Sequence, residues 1–588
     1  MELTLLLAPL VAALIASPLG APLGERGASV SALLLGLFAA FLGWIFALSE
    51  GEALPVFLAP WIGSGTLSAE FALSFDGPAP LLAALMLSTV ALAQVFGITM
   101  STPKQLMKVG DSQAMRLQSA LSFLSFAMLL VLLAAGTVLL AAGIVLFAVA
   151  VSLALDFNLR SVGAGRAAGR ALLVVTFGGL LTLVAGAMLY QAADAEAFDI
   201  LSSLPGLDAL SAPLTLAFGL GSLAVMGALP FLMWSVAAKE APAPLGAVIC
   251  LLGPIAAVSL AARATPFLEA APLVLFGLLL ATALLAPLMS LAKTGPSGAL
   301  AAAAITPGVL ALQVALMGAI AAAFLVLLGQ AIALLLLFGG FMRAKKGGIA
   351  RAAALIGTLS ATGIGVPFTL GPIQVALAGY GGQEAALSRL AGQDWLYWGY
   401  VVALALHALA LWKLYFCHFH RKAKKPLNEP EPETQVAGEM LIARISLGLL
   451  IAAAFVAGAL SGASTDIMPL IAGLVGLVLA ALHVFVGPVG DLSRSASAPL
   501  QGALAGPLFL PEAVRVFLDT PARAIGAFVS NTMDRSILEL VFEPLTARLF
   551  PALSRQAMQA QRSRFFPLVL GAIVAAALVV TIVTMAGS

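Results

Sequence analysis

No charged side chain occurs in residues 294–342, TGPSGALAAAAITPGVLALQVALMGAIAAAFLVLLGQAIALLLLFGGFM. The hydrocarbon core of a bilayer is about 30 Å thick, so a helix needs roughly 20 predominantly apolar residues to cross it. The uncharged stretch is long enough for two crossings, which we predict at 297–318 and 319–342. Lys293 and Arg343 flank this pair of helices, and both are predicted to lie on the same side of a membrane.

The rest of the chain has the same apolar character. Hydrophobic residues make up 61% of the 588 residues and charged residues 10%, whereas soluble domains contain about 45–50% and 25%. The composition therefore predicts an all-α integral membrane protein of about 16 transmembrane helices. The other predicted windows are 3–20, 28–48, 79–101, 118–136, 137–155, 171–190, 212–237, 245–262, 271–292, 352–379, 394–416, 440–460, 467–487 and 565–586.

Charges between the windows alternate in sign along the chain. Basic residues cluster at 104–116, 160–170, 343–351 and 421–425, and acidic residues cluster at 50–76 and 194–208. Loops rich in Lys and Arg stay in the cytoplasm. The pattern therefore predicts a multi-pass protein of the inner (cytoplasmic) membrane with both termini outside the cytoplasm. We predict a first transmembrane helix at 3–20 rather than a signal peptide, because Glu2 stands where a signal peptide has basic residues.

Two prolines interrupt apolar windows, Pro230 in Leu-Pro-Phe and Pro367 in Val-Pro-Phe. Proline lacks a backbone N–H and clashes with the preceding turn, so each helix is predicted to kink or break. The two prolines lie five windows apart, as an inverted-repeat transporter fold would place them. Two unrelated kinks are the alternative. The predicted domains are N-terminal helices in 1–101, repeats in 118–262 and 271–416, helices in 440–487, a lateral segment in 488–564 and an anchor helix in 565–588.

The lateral segment, residues 488–564, differs from the apolar windows. It contains Pro511, Pro521, Pro544 and Pro551, and its apolar residues recur at helical spacing between charged ones. This pattern predicts an interrupted amphipathic helix on the cytoplasmic side. It is either an interfacial helix that rests on lipid headgroups or a long strut that lies against neighbouring subunits.

Several short motifs resemble a known family. The motifs are Leu229-Pro230-x-x-x-Trp234, Pro242-x-Pro244, Ala262-Arg263, Lys413-x-x-Phe416-x-x-Phe419-His420 and Phe75-Asp76-Gly77. Together they resemble the antiporter-like membrane subunits of respiratory NADH:quinone oxidoreductase (complex I), whose relatives occur in Mrp-type antiporters and membrane-bound hydrogenases. The sixteen windows and the lateral segment are similar to the chain L type in particular.

The resemblance implies a row of ionisable residues that carries protons, and this chain departs from the family pattern at each matched position. No ionisable residue lies between Leu121 and Leu155, where the family has a glutamate. Val225 stands at the position of the lysine on the first broken helix, and Cys250 at that of a histidine. The remaining family positions fall at Gln330, Val375 and Ala376. An intramembrane ionisable residue is a functional candidate by default, and His407 and His483 remain. We predict a neutral, hydrogen-bonded packing role for them and a headgroup contact for Lys413.

These observations predict a chain L-like membrane-arm subunit whose own role is structural. We expect no cofactor, no metal, no redox chemistry of its own and no nucleic-acid partner; its partners are other membrane-arm subunits and lipid. One alternative is a diverged subunit of a cation/proton antiporter or of a bicarbonate or CO2 uptake system. Another is proton conduction along water chains near Gln313, Gln330 and Gln374.

Overall fold

The computed structural model describes a defined part of the chain, and every described residue belongs to the compact unit Met1–Ala498. The described residues are 2–17, 23–49, 55–64, 67–100, 113–157, 162–193, 197–198, 211–232, 234–264, 273–293, 295–341, 348–362, 394–419 and 468–482.

The N-terminal part combines three helices with a β-hairpin. The helices are α1 (Glu2–Ile15), α2 (Gly24–Leu48) and α3 (Ala79–Met100), and strands β1 (Val56–Ser64) and β2 (Leu67–Leu73) pair in antiparallel register between α2 and α3. The hairpin was not predicted from the sequence, which gave an all-α fold. Its residues fall between two membrane windows and form no apolar run long enough to cross a bilayer as a helix.

Five consecutive helical segments then form a closed ring of neighbours. They are α4 (Gln113–Leu133), α5 (Thr137–Leu155), α6 (Val162–Ala193), α7 (Ser211–Met226) with a short 3₁₀ helix (Ser235–Glu240), and α8 (Ala243–Ala264). Each helix packs against the next one in the chain, and α8 returns to pack against α4.

The next five segments repeat this order of neighbours. They are α9 (Leu273–Ala292), α10 (Pro296–Ala303) with α11 (Ile305–Leu316), α12 (Ile320–Phe341), α13 (Gly348–Ala361) and α14 (Asp394–Phe419). Again each segment packs against the next, and α14 returns to α9. Helix α15 (Met468–Ala481) packs along α14, and α8 contacts α11 and α12 and so joins the two rings.

Ten helical spans within the described ranges are long and apolar enough to cross a membrane. Four further apolar helices, α1, α7, α13 and α15, are shorter. Every predicted window that falls on described residues contains a helix. The predicted helices at 440–460 and 565–586, Pro367 and the lateral segment lie outside the described residues.

One predicted helix is interrupted. The window 297–318 forms α10 and α11, separated by Ala304, whose N–H donates to Leu300 O at 2.9 Å. Pro307 has no N–H to offer the carbonyl of Ala303 four residues earlier, and its ring crowds that turn. Pro307 is therefore the sequence signal for this break, although one continuous helix was predicted at 297–318.

Arg116 lies in the first turn of the span Ala114–Leu133, and Asp156 directly follows the span Thr137–Leu155; the two residues lie near each other at this end of the spans. The Arg116 Nη2 donates to Phe157 O at 3.0 Å, and its guanidinium lies 5.0 Å from the centre of the Phe157 ring. Asp156 is the C-terminal cap of α5. Burial raises the pKa of the Asp156 carboxyl above its ordinary 3.8, while Arg116 acts in the opposite direction. The negative end of the helix dipole also disfavours a carboxylate there.

Asp156→Asn should raise the melting temperature at neutral pH. A raised folded-state pKa means that the native chain binds this proton more tightly than the unfolded chain, so native stability increases as pH falls through that pKa. The advantage of the D156N variant should therefore shrink as the pH is lowered, in thermal unfolding of the detergent-solubilised chain. In the chain that retains Asp156, Arg116→Gln should make the melting temperature depend more strongly on pH. In the D156N variant, Arg116→Gln should have no such effect. An advantage that grows on acidification would contradict the assignment.

Candidate functional site

The first broken helix ends in a closed hydrogen-bonded turn. Helix α7 stops at Met226, and Gly227 follows with a φ of 74°. The Ala228 N–H donates to Leu223 O at 2.9 Å and the Gly227 N–H to Ala224 O at 3.2 Å, which is a Schellman cap. The chain reverses direction here ahead of Pro230, so the break predicted from that proline is present.

Side chains satisfy the polar backbone groups that the break exposes. The Trp234 Nε1–H donates to Ala224 O at 2.9 Å, and the Ser235 hydroxyl donates to Gly227 O at 3.0 Å. The Leu229 N–H donates to the Thr282 hydroxyl of α9 at 3.0 Å. In lipid every such group needs an internal partner. The family-motif residue Trp234 is thus part of the support of the broken helix.

Val225, where the sequence resemblance implied that the family has a lysine, is tightly packed. It is fully buried, and a methyl group placed on Gly178 of α6 would come within 2.8 Å of its Cγ2. A methyl group on Gly253 of α8 would likewise approach Val225 O to 3.2 Å. Helices α6 and α8 therefore approach this turn closely through glycine. Cys250 lies one turn from Gly253 and is buried.

Gln330 and His407 lie together in the second ring, although they are 77 positions apart in sequence. They line one cavity of about 10 Å³ between α10, α11, α12 and α14. Each side chain is 1% exposed. Both residues are candidates from the sequence, but their position in one cavity was not predicted.

The neutral, hydrogen-bonded packing role of His407 stays a prediction. Neither ring nitrogen has a hydrogen-bond partner among the described residues. The backbone of Ala361, at the end of α13, faces the ring without hydrogen-bond geometry. His483, the second predicted histidine, lies outside the described residues.

Arg263 and Asp76, two family-motif residues, meet at one end of the first ring. Both line a cavity of about 170 Å³ with Ser74, Ser259 and Phe198, and Asp76 is close enough to act electrostatically on Arg263. The Arg263 guanidinium donates to Leu132 O and Ala134 O at the end of α4 and lies 5.1 Å from the Phe198 ring centre. A cation that binds the last carbonyls of a helix is stabilising.

The opposite end of the bundle carries lysines. The Lys413 Nζ donates to Leu291 O at 3.3 Å, so this side chain binds the end of α9. The headgroup contact of Lys413 stays a prediction. Lys239 and Lys293 both approach Gly298 of α10. Burial, and then the positive charge of Lys239, lower the pKa of Lys293.

Two further motif residues, Pro242 and Pro244, lie at the start of α8. The Pro242 carbonyl accepts the Gly246 N–H at 2.7 Å, and Pro244 lies in the first turn of α8. His420, Pro367, Val375 and Ala376 lie outside the described residues. Within the described ranges, no group of three or more His, Cys, Asp or Glu residues is placed to hold a metal.

The ten membrane-length spans, the interrupted helices and the bundled packing define a helical multi-pass membrane protein. Its fold is similar to that of one chain in each of two solved structures, of an Mrp complex and of respiratory complex I. A chain in the structure of the Mrp complex from Dietzia sp. DQ12-45-1b superposes with a TM-score of 0.68 at 18% identity, covering 94% of this chain. This chain spans 63% of that Mrp chain.

A chain of respiratory complex I from Thermus thermophilus superposes with a TM-score of 0.61 at 18% identity, over 82% of this chain and all of the other. In sequence, this chain is 24% identical over 494 residues to the NADH-quinone oxidoreductase subunit L of Rhodobacter capsulatus, covering 77% of this chain and 69% of that subunit. No family model matches the chain. The resemblance to complex I chain L that the sequence motifs indicated is confirmed.

Gly227→Ala should destabilise the chain. A side chain in the left-handed region costs about 1–2 kcal/mol, and the new methyl would lie 2.8 Å from Trp234 Nε1. We expect a lower melting temperature in detergent. Gly169→Ala is the matched control, because nothing lies within 4 Å of its added methyl group in α6. That variant should be neutral or stabilising, since alanine favours helices; equal effects of both substitutions would contradict the role of Gly227.

Proposed function

We propose that this chain is a chain L-like membrane-arm subunit of a complex I-like assembly, that it acts as a structural brace, and that it has lost the family's proton-transfer residues. The observation that carries the proposal is the chemistry of the interior. Among the buried side chains of the described residues there is no Asp, Glu, Lys or Arg, and His407 is the one histidine. A proton moves through a membrane along ionisable groups and water, and this interior offers few such groups.

The packing around Val225 supports this proposal. A lysine at this position would need room for its longer stem and polar partners for its ammonium group. The close approach of Gly178 and Gly253 leaves little space for either. The nearest polar groups of the broken helix are already engaged with Trp234 and Ser235. The packing around position 225 therefore suits the valine of this chain better than the lysine that the resemblance implies.

The two rings of helices support the predicted division of the chain into two repeats. In each ring five segments pack in chain order, and the last returns to the first. The fourth segment of each is short, α7 with 16 residues and α13 with 14, and stops ahead of its proline. We propose that the repeats are 118–262 and 271–416, and that Pro367 interrupts the second as Pro230 interrupts the first.

The brace itself is assigned to residues 488–564. The chain L resemblance gives this segment a lateral position, and its amphipathic pattern offers one apolar face. We propose that it lies on the cytoplasmic side against neighbouring membrane-arm subunits, with both termini of the chain outside the cytoplasm. The chain would hold no cofactor or metal, and electron transfer would belong to its partners.

The fold shared with the Mrp complex favours one alternative, a subunit of a cation/proton antiporter. The partners distinguish the two assignments. Copurification with several complex I-like membrane subunits and a redox arm supports the first, whereas Mrp-type subunits without a redox arm support the second. A single large soluble partner would instead indicate a bicarbonate or CO2 uptake system.

Charges placed on the apolar face of the lateral segment should weaken assembly. Phe517→Asp with Phe528→Asp alters that face, whereas Arg523→Asp changes the charge between them and is the matched control. We expect partner subunits to be lost from the affinity-purified complex only with the first pair, since a buried unpaired charge is costly. Retention of all partners by the double variant would exclude the bracing role.

Removing the histidines should leave proton movement unchanged. The assembly carrying His407→Asn and His483→Asn, reconstituted in vesicles, should build the same proton gradient as the unaltered one, measured with a pH-sensitive dye. The assembly must remain intact in both preparations, as judged by its subunit composition. A gradient abolished in an intact assembly would mean that this chain conducts protons.

A further inference from the structure

Gln330 and His407, which line one cavity, carry buried polar atoms that have no partner in the part of the chain that the structure describes. Gln330 Oε1 and both ring nitrogens of His407 are buried and have no hydrogen-bond partner among the described residues. The rest of the lining is apolar, with Leu300, Ala303, Leu334 and Leu411 among its residues. Buried polar groups in proteins are nearly always hydrogen-bonded, and leaving them unpaired is costly, above all in a membrane.

The orientation of Gln330 is fixed by its other hydrogen bond. The Gln330 Nε2 donates to Ala304 O at 2.9 Å, at the break between α10 and α11. A carbonyl oxygen only accepts hydrogen bonds, so the amide NH2 group must face Ala304. The amide oxygen is therefore the end of Gln330 that is left without a partner among the described residues, and it needs a donor.

The imidazole of His407 needs a donor as well. In a neutral imidazole one nitrogen carries a proton and the other only accepts. The backbone of Ala361 faces the ring from α13, so the protonated nitrogen has a backbone group near it. The unprotonated nitrogen and Gln330 Oε1 are both acceptors and cannot bond to each other. A single group with two donors would satisfy both.

The size of the cavity selects that group. About 10 Å³ is close to the smallest space that holds one water molecule, and a buried water needs two or more polar partners. We propose that this cavity is a binding site for one water molecule, which donates one hydrogen bond to Gln330 Oε1 and the other to His407. The water joins α12 to α14 beside the ends of α10 and α13. The site does not depend on the bracing role proposed above.

The direct test is a cryo-EM map of the intact assembly at a resolution that reveals ordered water. We expect a density peak at hydrogen-bond distance, about 2.7–3.2 Å, from both Gln330 Oε1 and a ring nitrogen of His407. Gln330→Met should remove the peak, since methionine has nearly the same length and no amide. A His407 ring nitrogen in direct contact with Gln330 Oε1, with no peak between them, would overturn the proposal.

A double-mutant cycle on the detergent-solubilised chain gives a second readout. Gln330→Met and His407→Phe should each lower the melting temperature by roughly 2–4 °C, because each leaves the other residue unpaired. The double variant should lose less than the sum of the two shifts. Ser119→Ala is the control, because it removes a hydrogen bond to Ala13 O between α4 and α1. Its shift in melting temperature should add fully to the shift caused by Gln330→Met. Additive shifts for Gln330 and His407 would overturn the water bridge.

Discussion

The structure depends on one constraint, which is that a membrane interior provides no water to satisfy a free backbone group. The break after α7 is possible only because Trp234, Ser235 and Thr282 bond the groups that the helix no longer pairs. At the second break, between α10 and α11, the amide of Gln330 reaches Ala304 O. At both described interruptions, polar side chains outside the interrupted helix bind backbone groups that the helix leaves exposed.

The same constraint explains where the charges lie. Arg116 and Arg263 each bind carbonyls at the end of a neighbouring helix and each lie over a phenylalanine ring, one at either end of the bundle. These cations fix the ends of helices. In the interior, Val225 and Cys250 occupy positions where the family resemblance implied ionisable residues, and both are buried among close-packed helices. The chain retains the framework of an antiporter-like subunit while its described interior carries mainly apolar contacts, which is the physical basis for proposing a brace.

Glycine and alanine allow that dense packing. A methyl group on Gly340 of α12 would lie 2.7 Å from the Ala354 N of α13, and one on Gly476 of α15 would lie 2.5 Å from Ala408 of α14. Small residues let helix backbones approach closely, so that dispersion contacts replace the polar links used elsewhere in membrane proteins. These positions tolerate no side chain without separation of the helices, and they lie on contacts within the second ring and along its last helix.

The sequence by itself determined the membrane class, the helices in the described windows, the break near Pro230 and the resemblance to chain L, because runs of apolar residues and prolines act locally. The search for membrane-length apolar runs did not predict the hairpin at 56–73, because its strands are too short to cross a bilayer as helices. The break before Pro307 was also not predicted, although its signal was present in the sequence. The tertiary structure alone brought Arg263 to Asp76 and to the end of α4, and Gln330 to His407. Those contacts join residues far apart in sequence, and their geometry is set by how the helices cross, which no local pattern encodes.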